Sequence, residues 1–172
     1  MGVPQPRPAD PTAVRKRLAI YLNDHHAGAT AGVALARRTA REHADTADGP
    51  ELERLATEIA MDLHALRRVM SDSDIRIRRY KWYAAWTAER IGRLKPNGRV
   101  LRRAELSTVV ELEALLLGVE AKATAWQTLS RIAEHDSRLD RTRLTELYER
   151  ARRQADSFRA LHAAATPDAF TA

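Results

Sequence analysis

The chain has 172 residues, no cysteine and a formal net charge of +6. This length favours one domain that buries about two thirds of the unfolded chain's surface, so the chain can fold without a metal or a disulfide. The lack of cysteine excludes disulfide frameworks, thiolate metal ligands and cysteine nucleophiles. The first residues offer no apolar run for a signal peptide, and Glu111, Glu113 and Glu120 interrupt the most apolar stretch. We therefore expect no membrane-spanning segment and a cytoplasmic location.

Two helices are predicted in the first half of the chain. Residues 1–9 are rich in proline and lack periodicity, which predicts a disordered tail. Asp10 is suited to cap a helix and Pro11 to begin it, and an apolar stripe with a spacing of three and four residues continues to about Asp45. After the turn signal at 48–50, a second stripe indicates a helix that ends near 71–74 and completes a helical hairpin.

A connector over residues 72–106 separates this hairpin from a second one. Residues 75–95 have the pattern of a shorter, less regular helix, and a turn signal follows at 95–98. A third long helix is predicted from Ser107 to about His135, and a fourth ends near Ala165 because Pro167 follows. Residues 167–172 then form a tail. The pattern predicts an all-α fold, in which two helical hairpins pack as a four-helix bundle within one domain, residues 10–166, and a long crossover carries a short fifth helix.

This order of hairpin, long crossover and hairpin resembles the ferritin-like superfamily of four-helix bundles over residues 11–165. The Arg- and Ala-rich sequence of residues 21–38 is also similar to that of a group of uncharacterised actinobacterial proteins. Metal-binding members of the superfamily combine single glutamates with two Glu-x-x-His motifs, which hold a di-iron centre. In this chain Met61 stands three residues after Glu58, and no acid precedes His162 by three residues. The standard di-iron ligand set is therefore absent, and no cofactor is expected on that basis.

Glu113 and Glu120 lie two helical turns apart in the apolar stretch, so they share one face of the third long helix. We expect this face to lie at or beside the core, where an unpaired carboxylate is costly and must be neutralised, paired or bound to a metal. One interpretation is a non-standard site in which His25, Asp62, Glu113 and Glu120 hold one Fe, Mn or Zn ion. The alternative is that the glutamates form ion pairs at the edge of the core and His25 bonds a carboxylate or water.

The positive charge is concentrated between residues 67 and 103, a segment that contains twelve basic residues and only three acidic ones. Tyrosines and tryptophans are interleaved with these arginines, a pattern that suits an anionic membrane surface or an acidic protein, and less well a nucleic acid. The alternative is that the aromatic side packs on the bundle and the arginines face water. The surface predicted to meet an anionic partner consists of Arg76, Arg78, Arg79, Lys81, Trp82, Trp86, Arg90 and Arg93.

These patterns favour a non-catalytic binding or scaffold protein that docks an anionic partner through its basic crossover. No nucleophile motif, phosphate-binding loop or paired-histidine zinc motif is present in the sequence. The alternative function is a divergent ferritin-like metal-binding protein with a site inside the bundle. Long helices with exposed apolar edges would also suit a homodimer.

Overall fold

The computed structural model describes residues 10–78 and 100–170. These residues form four helices and no strand: α1 (Pro11–Glu42), α2 (Gly49–Asp72), α3 (Val100–Ile132) and α4 (Arg141–Phe170). The predicted all-α class and the four long helices are thereby confirmed. The predicted disordered tail at 1–9 and most of the predicted connector, with its short fifth helix, lie outside the described residues.

The helix ends follow the local chemistry of the sequence. The Asp10 carboxylate accepts a hydrogen bond of 2.9 Å from the backbone N–H of Thr12, which confirms the predicted cap. Gly49 is required in the first turn of α2, because an added Cβ would lie 2.6 Å from the carbonyl oxygen of His43. The predicted end of the fourth helix is wrong, since α4 continues through Pro167 to Phe170. The third helix also begins seven residues before Ser107, so the connector is shorter than predicted.

Side-chain contacts define the directions of the helices. Arg38, near the end of α1, bonds Glu111, near the start of α3, so these helices are antiparallel. Asp62 in the second half of α2 meets Arg150 in the first half of α4, so this pair is antiparallel as well. Because each hairpin is itself antiparallel, α2 and α3 run in the same direction.

One core of aliphatic and aromatic side chains fills the space between the helices. Trp126 and Phe158 are its largest fully buried members. The stripe predicted for the second helix is buried as a whole, which confirms the period read from the sequence; its residues are Leu52, Leu55, Ile59, Leu63, Leu66 and Met70. Polar groups within this core are few, and they are therefore the first candidates for a functional site.

Candidate functional site

The two glutamates of α3 do not both face the core. The prediction is wrong for Glu113, whose side chain is 54% exposed and bonds His162 Nε2 at 3.1 Å. Glu120 lies at the edge of the core, 34% exposed, and pairs with Arg159 and with Arg152. Glu120 thus forms the ion pairs of the alternative interpretation, whereas Glu113 shares a hydrogen bond with a histidine.

Two carboxylates are buried among the described residues, and Asp62, on α2, is the deeper one with 2% of its surface exposed; the other is Glu111 of α3. Its Oδ2 atom accepts hydrogen bonds from Lys122 Nζ at 2.5 Å and Gln154 Nε2 at 3.2 Å. Its Oδ1 atom accepts from Arg150, through Nε at 2.8 Å and also through Nη2. Asp62 thereby joins three helices in the interior. Its single negative charge is shared by two cations, Lys122 and Arg150.

A chain of polar contacts leads from Asp62 to the surface. Gln154 accepts a hydrogen bond of 2.5 Å from Lys122 and donates one of 3.0 Å to Glu58 Oε2. Glu58 pairs with Arg54, which also holds Glu51 through its Nε at 2.8 Å. Every partner of Asp62 is therefore itself bonded, which is what a stable interior polar network needs.

Burial dominates the protonation of the lysine in this network. Removing the ammonium from water lowers the pKa of Lys122, and the attraction of Asp62 offsets only part of this effect. Lys122 is consequently a less basic amine than an exposed lysine.

His25 lies on α1 and is half-buried, with its ring in an edge-on contact with Tyr21 at 4.5 Å between centroids. The other predicted metal ligands have different partners: Asp62 meets Lys122 and Arg150, whereas Glu113 meets His162. In the part of the chain that the structure describes, no three His, Asp or Glu side chains are grouped to hold a metal ion. The structure therefore does not group all four of these residues, although His25 and Asp62 line one cavity between α1, α2 and α3, and the metal site stays a prediction.

The neighbouring histidines His25 and His26 give a prediction for pH. Burial lowers the pKa of both from the ordinary value of 6.5, and the Arg67 charge lowers that of His26 further. The unfolded chain then binds more protons than the folded one as the pH falls through 6.5. The contribution of the two histidines to stability is therefore fully present above this pH and is lost as the pH falls below it. Thermal unfolding of the protein and of a His25→Gln/His26→Gln variant measures this loss, which we expect to be smaller in the variant. Equal losses in both proteins would contradict it.

A surface groove of about 1080 Å³ lies between α2 and α4. We call it the arginine groove because five arginines line it, together with only two acids, Asp140 and Glu146. Its arginines are Arg67, Arg68, Arg143, Arg150 and Arg153. Arg150 is held by Asp62, and Arg67 donates to His26 Nε2 at 3.2 Å. Among the described residues, the side chains of Arg68, Arg143 and Arg153 form no ion pair.

The predicted basic surface is described only at its beginning. Arg76 and Arg78 are exposed, and the backbone there is tied to Asn23 of α1: the Arg78 N–H donates to Asn23 Oδ1 at 2.6 Å, and the Arg76 carbonyl accepts from Asn23 Nδ2 at 3.2 Å. The other predicted residues, Arg79, Lys81, Trp82, Trp86, Arg90 and Arg93, lie outside the described residues.

Sequence reasoning selected Asp62 but missed the residues that hold it. Lys122 follows Val119 by three residues on the buried stripe of α3, and Gln154 lies between Ala151 and Phe158 on that of α4. A polar residue within an apolar stripe was the available signal, because such a residue needs a buried partner. The arginine groove joins residues more than 70 positions apart, so no local pattern indicated it.

Comparisons with known proteins found no matching family model and no significantly similar curated protein or solved structure. Along residues 10–78 and 100–170, none of the helices has the length and apolar character needed to cross a membrane.

Proposed function

We propose that this protein is a non-catalytic helical-bundle binding protein that docks an acidic protein segment in the arginine groove between α2 and α4. The observation that carries this proposal is the positive charge of Arg68, Arg143 and Arg153 in one concave surface, where no described residue forms an ion pair with them. Arginine suits this role because its planar guanidinium binds carboxylates through two parallel hydrogen bonds. The basic segment that follows α2 extends the same positive charge along the chain.

The shape of the groove favours a polypeptide over a flat membrane surface. On α2 its lining runs from Met61 to Ser71, about 15 Å of helix at 1.5 Å per residue. Its apolar lining consists of the exposed Met61 and of Ala65 and Leu147, which are largely buried. An amphipathic segment with acidic flanks would match both features, as helices do in the grooves of other binding proteins.

The helix directions support the ferritin-like arrangement in this proposal. Because α2 and α3 are parallel, the end of α2 and the start of α3 lie at opposite ends of the bundle, which is the arrangement that a crossover connection requires. The proposal does not require a homodimer.

A pair of matched variants tests the groove. In the first, Arg68, Arg143 and Arg153 become alanine; in the second, three exposed arginines of α1, Arg17, Arg37 and Arg41, become alanine. Both variants lose the same net charge. Binding of poly-L-glutamate at low salt, measured by calorimetry, should weaken about tenfold in the first variant, since three exposed charge contacts of about 0.5 kcal/mol each are lost. The second variant should bind within about a factor of two of the unchanged protein.

Several outcomes would contradict the proposal. Equal weakening in the two variants would mean that net charge alone attracts the polymer. Tighter binding to phosphatidylglycerol vesicles or to mixed-sequence duplex DNA, with the same dependence on the groove, would assign it to a lipid or nucleic-acid partner. Far-ultraviolet circular dichroism of each variant verifies that the helices are retained.

A further inference from the structure

The arginine groove is basic at both of its ends. The contact between Asp62 and Arg150 aligns the antiparallel helices α2 and α4 with each other. Arg68 lies six residues beyond this contact on α2, and Arg143 lies seven residues before it on α4. These two arginines are therefore at the same end of the groove, and both also line a smaller pocket that adjoins it. Arg153 lies three residues past the contact on α4, at the other end.

The distance between the two ends follows from the helix geometry. Arg143 and Arg153 are ten residues apart on α4, which corresponds to about 15 Å along the helix axis. Between them the groove offers an apolar contact, Met61, whose side chain is 52% exposed. Met61 directly precedes Asp62, so it lies about 11 Å from the level of Arg143 and about 4 Å from that of Arg153. The groove thus presents positive charge, an apolar side chain and positive charge again, at unequal distances.

Two acids lie at the Arg143 end of the groove and reduce its positive charge. The Asp140 carboxylate accepts a hydrogen bond of 3.1 Å from the backbone N–H of Arg143, so it caps α4. Glu146 is exposed and forms no ion pair with a described residue. Three arginines at the same end, Arg67, Arg68 and Arg143, exceed these two acids by one charge. Each end of the groove therefore keeps a positive charge for a ligand.

A helical partner can meet these levels with one of its faces. Distances of about 11 and 15 Å correspond to about seven and ten to eleven residues of a helix. Positions i, i+7 and i+11 lie on the same face, because successive residues are about 100° apart. An extended segment would cover the same 15 Å in about five residues. Its backbone N–H and C=O groups would lose water against α2 and α4 without finding partners, since backbone groups within these helices already bond each other.

We propose that the partner of the arginine groove is an amphipathic helix that carries carboxylates at positions i and i+11 and an apolar side chain at i+7. The first carboxylate meets Arg68 and Arg143, the apolar side chain covers Met61, and the second carboxylate meets Arg153. The bound helix runs in the direction of α4, because the opposite direction would require the apolar side chain at i+4. This inference rests on the proposed function of the groove and adds the conformation and the spacing of the partner.

Two peptides of equal composition and charge test this spacing. Both are acetylated and amidated helices of alanine and glutamine, with a glutamate at i and a leucine at i+7. The second glutamate is at i+11 in the first peptide and at i+5, on the opposite face, in the second. In calorimetry at low salt, the first peptide should bind about two- to threefold more tightly, as expected for one exposed ion pair. Circular dichroism verifies that the free peptides have equal helix content.

Substitutions in the groove assign each contact. Arg153→Ala should weaken the first peptide by the same two- to threefold factor and leave the second unchanged, whereas Arg68→Ala should weaken both. Glu146→Gln should tighten both, because it removes an opposing charge. The matched control is Arg41→Ala, at an exposed arginine of α1, which should change neither.

The outcomes separate this inference from the proposed function. Equal binding of the two peptides, or equal weakening of both by Arg153→Ala, would overturn the spacing even if poly-L-glutamate binds in the groove. Binding of poly-L-glutamate without binding of either peptide would overturn the helical conformation. Failure of poly-L-glutamate and of both peptides would overturn the proposed function together with this inference.

Discussion

Replacing Asp62 with alanine should lower the free energy of unfolding by about 3–5 kcal/mol, the range found when one partner of a buried ion pair is removed. Lys122 and Arg150 would lose their shared carboxylate, and Gln154 would lose one acceptor. These groups are mostly removed from water, so hydration would replace the lost contacts only in part. Urea unfolding followed by circular dichroism measures the change.

Glu120 provides the matched control for this substitution. It also pairs with two arginines, Arg152 and Arg159, but at the partly exposed edge of α3. Glu120→Ala should therefore lower the free energy of unfolding by only about 0–1 kcal/mol. An Asp62→Leu/Lys122→Met variant should lose less of the free energy of unfolding than Asp62→Ala does, because it leaves no buried lysine charge. Similar losses for Asp62→Ala and Glu120→Ala would show that the interior network does not stabilise the bundle.

A second large effect is expected at Glu111, where α1 meets α3. Its carboxylate is buried and accepts hydrogen bonds from Arg38 Nη2 at 2.5 Å and from Thr39 Oγ1 at 2.9 Å. Glu111→Ala should lower the free energy of unfolding by about 2–3 kcal/mol, since Arg38 is half-buried and can recover only part of its hydration.

Glu113, two residues further along α3, tests whether burial causes this effect. It is exposed, and His162 is its side-chain partner among the described residues, so Glu113→Ala should change the free energy of unfolding by about 0.5 kcal/mol or less. The same urea titration compares the two variants. A larger loss for Glu113→Ala than for Glu111→Ala would contradict the orientation of α3.

The fold was predictable where the apolar period was strict. The stripe from Leu52 to Met70 has a single apolar face, and the structure buries that face in full. The Asp10 cap was predictable as well, because a capping bond depends only on neighbouring residues. The end of α4 was not, since Pro167 removes one backbone donor but does not prevent the last turn from forming.

The sequence did not predict which face of α3 is buried, because the middle of this helix is apolar on several faces. Leu115, Leu116 and Leu117 follow one another, so the period alone allows more than one buried stripe. Packing selects Leu115, while Leu117 is exposed. A rotation of about 100° per residue then carries Glu113 outward and Glu111 inward. The interior network and the arginine groove depend on this tertiary choice, because each combines residues from different helices.

If the arginine groove receives an acidic protein segment, as proposed, the arginine side chains of the groove report it directly. In a titration with poly-L-glutamate at low salt, the Nε–H resonances of Arg68, Arg143 and Arg153 should shift together and saturate at one affinity. Those of Arg17, Arg37 and Arg41 should stay in place. Shifts of similar size across both sets would contradict docking in the groove and leave only attraction to the overall positive charge.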